Sequence, residues 1–448
     1  MKIVRVNFSK LFGFFDYSID FNDTVTIIHG PNGCGKTTML KIIDAVFNKK
    51  VEVIKATDFE FVHFYFSTGV TLKIERKRAN IDIKSKTSNG IVYLAYTLAH
   101  DDQTEIFDSF ENSDEYRTIV EKFLKVYRPL PFLEKISTST DSWYDRRHNE
   151  TLTTEEVIAN YGSTIYKHYS RELFEDDIPE KVQQIIAMID VRLITADRLT
   201  VQKRIERQYG EKNTQIERRV DIIAHNLAQR IREAIQKYAQ LSQAKDRTFP
   251  LRAIKQNSLM TVEEIKEKMV DLETKRKELI DTGILEEEKD DIDIHELVDA
   301  ITESNRQNLS LYATDTEEKL NALSGLSSSI NLFRNLIDDS FNNKKIVFSK
   351  EYGFQFLTTY SSSVILPQNL SSGEQHELVM FYDLIFGTSE KTLVLIDEPE
   401  LSLHIKWQLN YVNELLDIIK IAGFSAVLAT HSPQIIHDKW NLTVSLSE

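Results

Sequence analysis

The sequence predicts an α/β fold, with a β-rich lobe, a parallel sheet covered by helices, and an inserted helical subdomain. Three observations lead to this prediction. Short alternating runs fill the first hundred residues, apolar residues in the middle recur at spacings of three and four, and the last hundred residues alternate strands with helices. We expect segments 1–110, 111–340 and 341–448, the outer two forming one domain.

The amino-terminal segment is predicted to be rich in β-structure. Residues 2–8, 15–21 and 24–29 read as short strands, and the third runs directly into a glycine-rich turn and an apolar helix. Residues 60–98 contain further β runs, separated by Ser-Thr-Gly and Ser-Asn-Gly. We expect these runs to form an antiparallel meander.

The middle segment is predicted to be mainly helical. The pattern turns helical from about 113 to 188, where Thr153 and Glu156 have the spacing of a capping box. Residues 191–196 are apolar and predict one buried strand before the next helices.

The most regular helical pattern predicts a short antiparallel hairpin over residues 213–282. Its apolar stripe breaks at 248–253, where Pro250 favours a turn, and resumes after a capping residue, Thr261. Another long helix is expected from 315 to about 340. The residues leave two interpretations of the hairpin open: an ordinary helical subdomain or a protruding dimerisation arm.

The composition excludes several classes of protein. No apolar run among the 448 residues reaches the ~18 residues that a membrane span needs. A single cysteine excludes a disulfide framework. With 55 Lys and Arg against 69 Asp and Glu, the net charge is −14, which repels nucleic-acid phosphates at long range. We expect a cytoplasmic protein without membrane contact.

A glycine-rich loop is the strongest functional signal. Residues 30–37, GPNGCGKT, match the phosphate-loop pattern between an apolar strand and a helix. Backbone N–H groups would surround a phosphate, Lys36 would reach its β- and γ-oxygens, and Thr37 would offer its hydroxyl to Mg²⁺. The loop predicts binding of a nucleoside triphosphate through Gly30, Pro31, Asn32, Gly33, Cys34, Gly35, Lys36, Thr37 and Thr38.

Two adjacent carboxylates end a buried strand at residues 391–398, KTLVLIDE. Neighbouring side chains on a strand point to opposite faces, so Asp397 and Glu398 cannot do the same work. Asp397 suits Mg²⁺, and Glu398 suits a general base that polarises the attacking water. An upstream phosphate loop favours this interpretation over a strand that merely ends at solvent.

Two further motifs have residues suited to phosphate. Ser371, Ser372 and Gly373 open an apolar helix, where hydroxyls, free N–H groups and the helix dipole can hold an anion. One phosphate loop already serves one nucleotide, so a second anion site implies a shared ligand. His431 ends the last long apolar strand, and a neutral imidazole there could hydrogen-bond the γ-phosphate or the attacking water.

These motifs, in order, resemble those of an ABC-class ATPase head. GPNGCGKTT, LSSGEQ, VLIDEPELSLH and ATHSPQII are similar to its Walker A, signature, Walker B with D-loop, and H-loop. The wording EPELSLH and THSPQII resembles the Rad50/SMC/RecF and OLD-like branch. The resemblance implies ATP and Mg²⁺ as ligands and two heads that sandwich two ATP molecules. Ser371 and Gly373 would then contact the γ-phosphate held by Lys36 of the other subunit.

The resemblance also suggests a biological setting. The chain runs 17 residues beyond His431 (448 − 431), too few for the Toprim nuclease that OLD nucleases append there. Stand-alone ATPases of this kind resemble subunits of two-gene anti-phage systems such as Septu and PARIS. This implies a homodimer of heads, or a higher ring, that holds or senses a separate effector nuclease.

One family position departs from the pattern. The resemblance implies a glutamine after a middle strand, near the metal and the attacking water, but Asp197 stands near that place and Gln202 follows five residues later. Either could fill the role, or Asp197 could pair with Arg198. Lys10 could lie near the nucleotide or be an ordinary surface lysine, and Cys34 is interpreted as a small tolerated side chain.

The sequence disfavours two other functions. A DNA-maintenance ATPase of RecF or SMC type would bind DNA directly, which the net charge and the short hairpin disfavour. The nucleotide-binding subunit of a transporter would be about half as long and would carry a different D-loop.

Overall fold

The structure is a computed structural model of the chain. It describes residues 1–446 apart from 80–90, 102, 109–129, 137–141, 158–159, 162–177, 196–197, 207–211, 256–259, 287–297 and 404. The chain divides into two compact units. The first comprises Met1–Leu193, Glu390–Glu398 and Phe424–Glu448, and the second comprises Ile194–Ser389 and Pro399–Gly423.

An antiparallel sheet forms the β-rich part of the first unit. Its strands alternate buried and exposed side chains, which places one face on a core that includes Val6, Phe64 and Leu72. The strands are β1 (Ile3–Leu11), β2 (Phe15–Asp20), β4 (Phe61–Phe66), β5 (Thr71–Ala79), β6 (Ile91–His100) and β7 (Gln103–Asp108). Their order in the sheet is β2-β1-β4-β5-β6-β7. The predicted strands and meander are confirmed.

A second sheet of the first unit carries the parallel strands. Its order is β11-β17-β18-β3-β19, and the pairs β17–β18, β18–β3 and β3–β19 are parallel. Every residue of the strand TLVLID is buried, as expected for a central parallel strand. The strands are β3 (Val25–His29), β11 (Asp190–Ile194), β17 (Thr392–Asp397), β18 (Ser425–Thr430) and β19 (Thr443–Ser445).

Helices accompany this sheet. The longest is α1 (Lys36–Phe47), which follows β3 and contacts both β17 and β18. Its apolar face, including Met39, Ile42 and Ile43, belongs to the core of the first unit. The others are α2 (Val51–Ala56), α3 (Glu180–Ile186) and α10 (Pro433–Ile436).

The structure corrects part of the helical prediction for 113–188. Most of that range lies outside the described residues, and Glu180–Ile186 is helical as predicted, but the described residues between 133 and 153 contain three strands rather than a helix. They form the antiparallel sheet β10-β9-β8, with β8 (Leu133–Lys135), β9 (Ser142–Asp145) and β10 (Glu150–Thr153). The predicted capping box of Thr153 and Glu156 is present immediately afterwards. These strands are too short to give a clear period-two pattern in the sequence.

Three long helices lie in the described part of the second unit. They are α4 (Arg219–Lys255), α5 (Val262–Asp281) and α6 (Arg306–Ser340). Both α4 and α5 pack against α6. Contacts between the carboxyl-terminal part of α4 and the amino-terminal part of α6, such as Arg252 with Asp315, make that pair antiparallel, whereas α5 runs parallel to α6. The predicted pair is therefore antiparallel but is held together through a third helix.

Smaller elements complete the second unit. Phe333 of α6 lies in an aromatic cluster with Phe348, Phe354, Tyr382 and Phe386. The elements are β12 (Thr200–Glu206), β13 (Lys212–Arg218), β14 (Lys344–Ser349), β15 (Gly353–Thr358), β16 (Val364–Ile365), α7 (Ser372–Phe386), α8 (Ile405–Gln408) and α9 (Tyr411–Ala422). The α/β fold class, with its parallel sheet and helical subdomain, is confirmed.

Two details of the hairpin prediction are wrong. Residues 212–218 form a strand, so the helix begins at Arg219 rather than near 213. The helix also continues through Pro250 to Lys255 instead of turning at 248–253. Tertiary contacts outweigh the proline, because Arg252 binds Asp315 on α6 and Gln307 donates to the Ala253 carbonyl oxygen at 2.7 Å.

Replacing Pro250 with alanine should stabilise the protein. Pro250 is exposed inside α4, and proline lacks the N–H group of a helical residue and crowds the preceding turn. The free energy of unfolding should rise, by up to about 3 kcal/mol. Thermal denaturation of Pro250→Ala measures this, with the exposed Arg247→Ala in the same helix as a control. An unchanged or lower melting temperature would show that the proline does not strain the helix.

Candidate functional site

The phosphate loop joins β3 to α1 in the first unit. Gly33 and Gly35 have φ angles of 85° and 93°, a left-handed conformation that glycine adopts most easily. A Cβ atom on Gly35 would also come within 2.8 Å of Leu11 Cδ2. Only glycine therefore fits at the position directly before Lys36, where the helix begins.

The ammonium group of Lys36 lies against the loop itself. Nζ donates to the carbonyl oxygens of Gly30 at 2.8 Å and of Pro31 at 2.9 Å, and it lies 3.7 Å from the sulfur of Cys34. Lys36 and Cys34 are both buried. The loop thus holds one positive charge among its own backbone groups, close to the N-terminus of α1, where the helix dipole adds further positive potential.

A hydrogen bond joins the loop to the end of β17. Thr37 Oγ1 donates to Asp397 Oδ1 at 2.8 Å, although the two residues are 360 positions apart in the chain. Asp397 is buried and ends a strand whose residues are all buried. A hydroxyl and a carboxylate oxygen are ligand types that Mg²⁺ prefers, so this pair has the chemistry to hold that ion.

Glu398 has a strained backbone next to this pair. Its φ angle is 46°, in the left-handed region, and its N–H donates to the Ala429 carbonyl oxygen on β18 at 2.9 Å. Its carboxylate Oε1 lies 3.7 Å from Nδ1 of His431, which follows β18. Strain of this kind persists only where the surroundings enforce it and is common at functional sites.

The Ser-Ser-Gly segment caps α7 in the second unit. Ser371 and Ser372 are exposed, and Ser371 is the N-cap residue of a complete capping box with Glu374. Lys344 on β14 forms an ion pair with the same carboxylate. Burial opposes ionisation, but hydrogen bonds from Lys344 and Ser371 hold the pKa of Glu374 below its usual value. The tip of the helix is therefore firmly fixed.

The predicted site residues divide between the two units. Gly30–Thr38, Asp397, Glu398 and His431 belong to the first unit, and Ser371, Ser372 and Gly373 belong to the second. Asp197 lies outside the described residues, and Gln202 lies in β12. Lys10 forms an ion pair with the exposed Glu60, whose hydrogen bond and charge raise the pKa of the lysine.

Two residues that lie beside these motifs, Phe12 and Lys344, were not predicted from the sequence. Phe12 has a ring atom 3.2 Å from the position that a Cβ of Gly35 would occupy, so the β1–β2 turn lies directly beside the phosphate loop. Lys344, the partner of Glu374, follows α6 and has no sequence pattern that distinguishes it from other lysines. The sequence signal for the turn that carries Phe12 is Gly13 in KLFGFF.

Two carboxyl groups of the second unit are removed from water to different extents: Glu377 on α7 is buried, and Glu414 is half-buried. Burial, with a smaller effect from the charges of Glu374 and Glu414, raises the pKa of Glu377 to about 8. Burial also raises the pKa of Glu414 on α9 to about 7, with Asp339 and Asp417 adding to the effect. Glu377 is therefore largely protonated at neutral pH, so the helix carries no second negative charge beside that of Glu374.

The fold and this loop together define a nucleotide-binding protein of the phosphate-loop class. A family model described as the AAA ATPase domain matches residues 1–436. The chain therefore belongs to that ATPase family. In the described residues, no helix is long and apolar enough to cross a membrane.

Other comparisons give weaker likenesses. The chain is 35% identical to protein ea59 of Escherichia phage lambda over 69 residues, which are 15% of this chain and only 13% of that protein. Two crystal structures of Smc heads bound to parts of ScpA cover most of the chain. The head with an extended coiled coil, from Pyrococcus furiosus, has a TM-score of 0.32 at 11% identity over 97% of this chain and 90% of that one. The other Smc head, bound to the C-winged helix domain of ScpA, has a TM-score of 0.34 at 10% identity, and the match covers 100% of this chain and 94% of that one. TM-scores this low establish no common architecture.

Glu377→Gln should change how stability depends on pH. Above about pH 4.5 the unfolded carboxyl loses its proton, whereas the folded one keeps it up to about pH 8. The folded state then binds more protons, so wild-type stability falls as the pH rises through this window. Glutamine carries no such proton, so the variant should be more stable than wild type at pH 8, on the order of 1 kcal/mol or more.

Urea denaturation at pH 5 and pH 8 measures this effect. The stability difference between Glu377→Gln and wild type should grow from the lower to the higher pH, while the exposed Glu390→Gln keeps the wild-type pH dependence. A difference that is equal at both pH values would show that Glu377 ionises normally in the folded protein.

Proposed function

We propose that this chain is a Mg²⁺-dependent ATPase whose heads pair around the nucleotide. The observation that carries the proposal is the hydrogen bond from Thr37 to Asp397, with Glu398 and His431 at the same end of the parallel strands. In such sheets ligands bind at the carboxyl ends of the strands. Membership of the ATPase family supports the same reaction.

The residues of the first unit have complementary roles in this proposal. The N–H groups of residues 30–38 and the ammonium of Lys36 bind the phosphates, and Thr37 with Asp397 holds Mg²⁺. When bound there, Mg²⁺ would supply positive charge that offsets the charge of the phosphates. Glu398 accepts the proton of the attacking water, and His431 hydrogen-bonds that water or the γ-phosphate.

A second copy of the chain is proposed to complete the site. Ser371 and Ser372 are exposed at the start of a helix of 15 residues, and the first-turn N–H groups of a helix have no partners within it. Such a tip attracts the γ-phosphate. The capping box and the Lys344–Glu374 pair fix its shape in advance, which lowers the entropic cost of binding.

The wider setting rests on the motif resemblance. We propose a head of the SMC and Rad50 kind, located in the cytoplasm, that forms a homodimer or a ring of dimers. Its proposed task is to hold or sense a separate effector, a nuclease, in defence against phage. A neighbouring gene that encodes a nuclease would support this setting, and its absence would favour direct action on DNA.

Glu398→Gln tests the general base. The amide is nearly the same size as the carboxylate but cannot accept the proton, so ATP hydrolysis should fall by about 10²–10⁴-fold. ATP affinity should stay close to the wild-type value. Phosphate release and equilibrium ATP binding measure the two effects, and Glu390→Gln, just before β17, serves as a matched control. Hydrolysis at the wild-type rate would place the base elsewhere.

Ser371→Arg tests the shared site. A large cationic side chain at the helix tip should leave ATP binding by one chain intact but abolish ATP-dependent association. Light scattering with and without ATP in the Glu398→Gln background measures association. Ser324→Arg, on the exposed part of α6, is the control, and Lys36→Ala should lose both properties. If Ser371→Arg associates like its parent, the second copy does not use this tip.

A further inference from the structure

The hairpin of β9 and β10 holds a second group of ligand-type side chains, separate from the phosphate loop in the sequence. Asp145 ends β9, Glu150 begins β10, and His148 lies in the turn of residues 146–149 between them. One imidazole nitrogen and one oxygen of each carboxylate lie within 4.8 Å of one another. Nothing in the proposed ATPase chemistry uses these residues.

Asp145 is a buried carboxylate with a hydrogen-bond donor at each oxygen. Its side chain is fully buried, and it accepts hydrogen bonds from the Arg147 N–H at 2.8 Å and from the Tyr161 hydroxyl. Arg147 donates to Oδ1 and Tyr161 to Oδ2, so the carboxylate is held in one orientation at the end of β9.

Glu150 places a second carboxylate directly opposite. Asp145 and Glu150 are register partners in the antiparallel pair, so their side chains leave the sheet on the same face. Like charges at directly opposed positions repel and destabilise a hairpin. Within the described part of the chain, the Glu150 side chain forms no ion pair or hydrogen bond, whereas the carboxylate of Glu134 on β8 is paired with Arg146.

The imidazole lies beside these carboxylates. His148 Nδ1 is 3.0 Å from Asp145 Oδ2 and 3.2 Å from the Tyr161 hydroxyl, and the side chain is 60% exposed. A ring nitrogen of His148 can therefore bind the same cation as the two carboxylates. Two oxygen ligands and one imidazole nitrogen form a set that suits Zn²⁺ and related ions.

We propose that Asp145, His148 and Glu150 bind one transition-metal cation of the Zn²⁺ type. Solvent supplies the remaining ligands, because His148 and Glu150 are exposed. The Tyr161 hydroxyl and the Arg147 N–H orient the buried carboxylate from behind, as outer partners of metal ligands do. The cation offsets the repulsion across the hairpin and links the two strands of a sheet too small to have a large core of its own.

Titration calorimetry with ZnCl₂ alone tests the proposal on the full-length protein, freed of metal and nucleotide. Wild type should bind one Zn²⁺ at this site with a dissociation constant in the micromolar range, at least tenfold tighter than Mg²⁺, because imidazole favours the later transition metals. Zn²⁺ should also raise the melting temperature.

His148→Ala and Glu150→Gln should each weaken Zn²⁺ binding at least tenfold and abolish the thermal shift. Both side chains are exposed, so both variants should fold, which circular dichroism checks. Glu134→Gln, on the same small sheet, should bind like wild type. Asp397→Asn should also keep this binding, which separates the outcome from that of the proposed ATPase site.

Two results would overturn the proposal. The first is the absence of saturable Zn²⁺ binding in wild type, which would leave Asp145 as a hydrogen-bonded anchor of the turn only. The second is equal Zn²⁺ affinity in wild type, His148→Ala and Glu150→Gln, which would place any bound ion elsewhere.

Discussion

The hydrogen bond between Thr37 and Asp397 is the interaction on which the proposed ATPase site depends. It joins the first turn of α1 to the end of β17, two elements that are far apart in the chain. The sheet makes this possible, because β18 lies between β3 and β17 and brings the carboxyl ends of all three to one edge. Glu398 follows β17 and His431 follows β18, so the pairing of these strands positions the whole set of polar groups.

In the second unit, the amino-terminal tip of α7 is exposed but firmly held. Hydrophobic packing around Phe333 fixes the body of α7, and Arg219 binds Asp383 on that helix at 2.8 Å. The capping box and Lys344 fix its first turn. Protonation of Glu377 at neutral pH then removes a repulsion that would act inside the helix. The result is a preorganised set of donors.

The sequence predicted the features that depend on local patterns. Alternating side chains identified the antiparallel sheet, the succession of strands and helices identified the parallel sheet, and the glycine spacing around Lys36 identified the loop, because those signals are local. Long-range contacts were beyond such reasoning. The helix passes through Pro250 because Arg252 reaches Asp315, and β13 replaces the expected helix start because it pairs with β12. The strained Glu398 likewise makes a backbone hydrogen bond to a strand that is distant in the sequence.

The dependence of ATP affinity on Mg²⁺ tests the central claim most directly. If Asp397 and the hydroxyl it binds hold the ion, wild type should bind ATP at least tenfold more tightly with Mg²⁺ than with EDTA. Asp397→Asn removes the negative ligand, so its affinity should be nearly the same under both conditions. A variant that keeps the full wild-type ratio, measured by equilibrium binding of a fluorescent ATP analogue, would contradict the account.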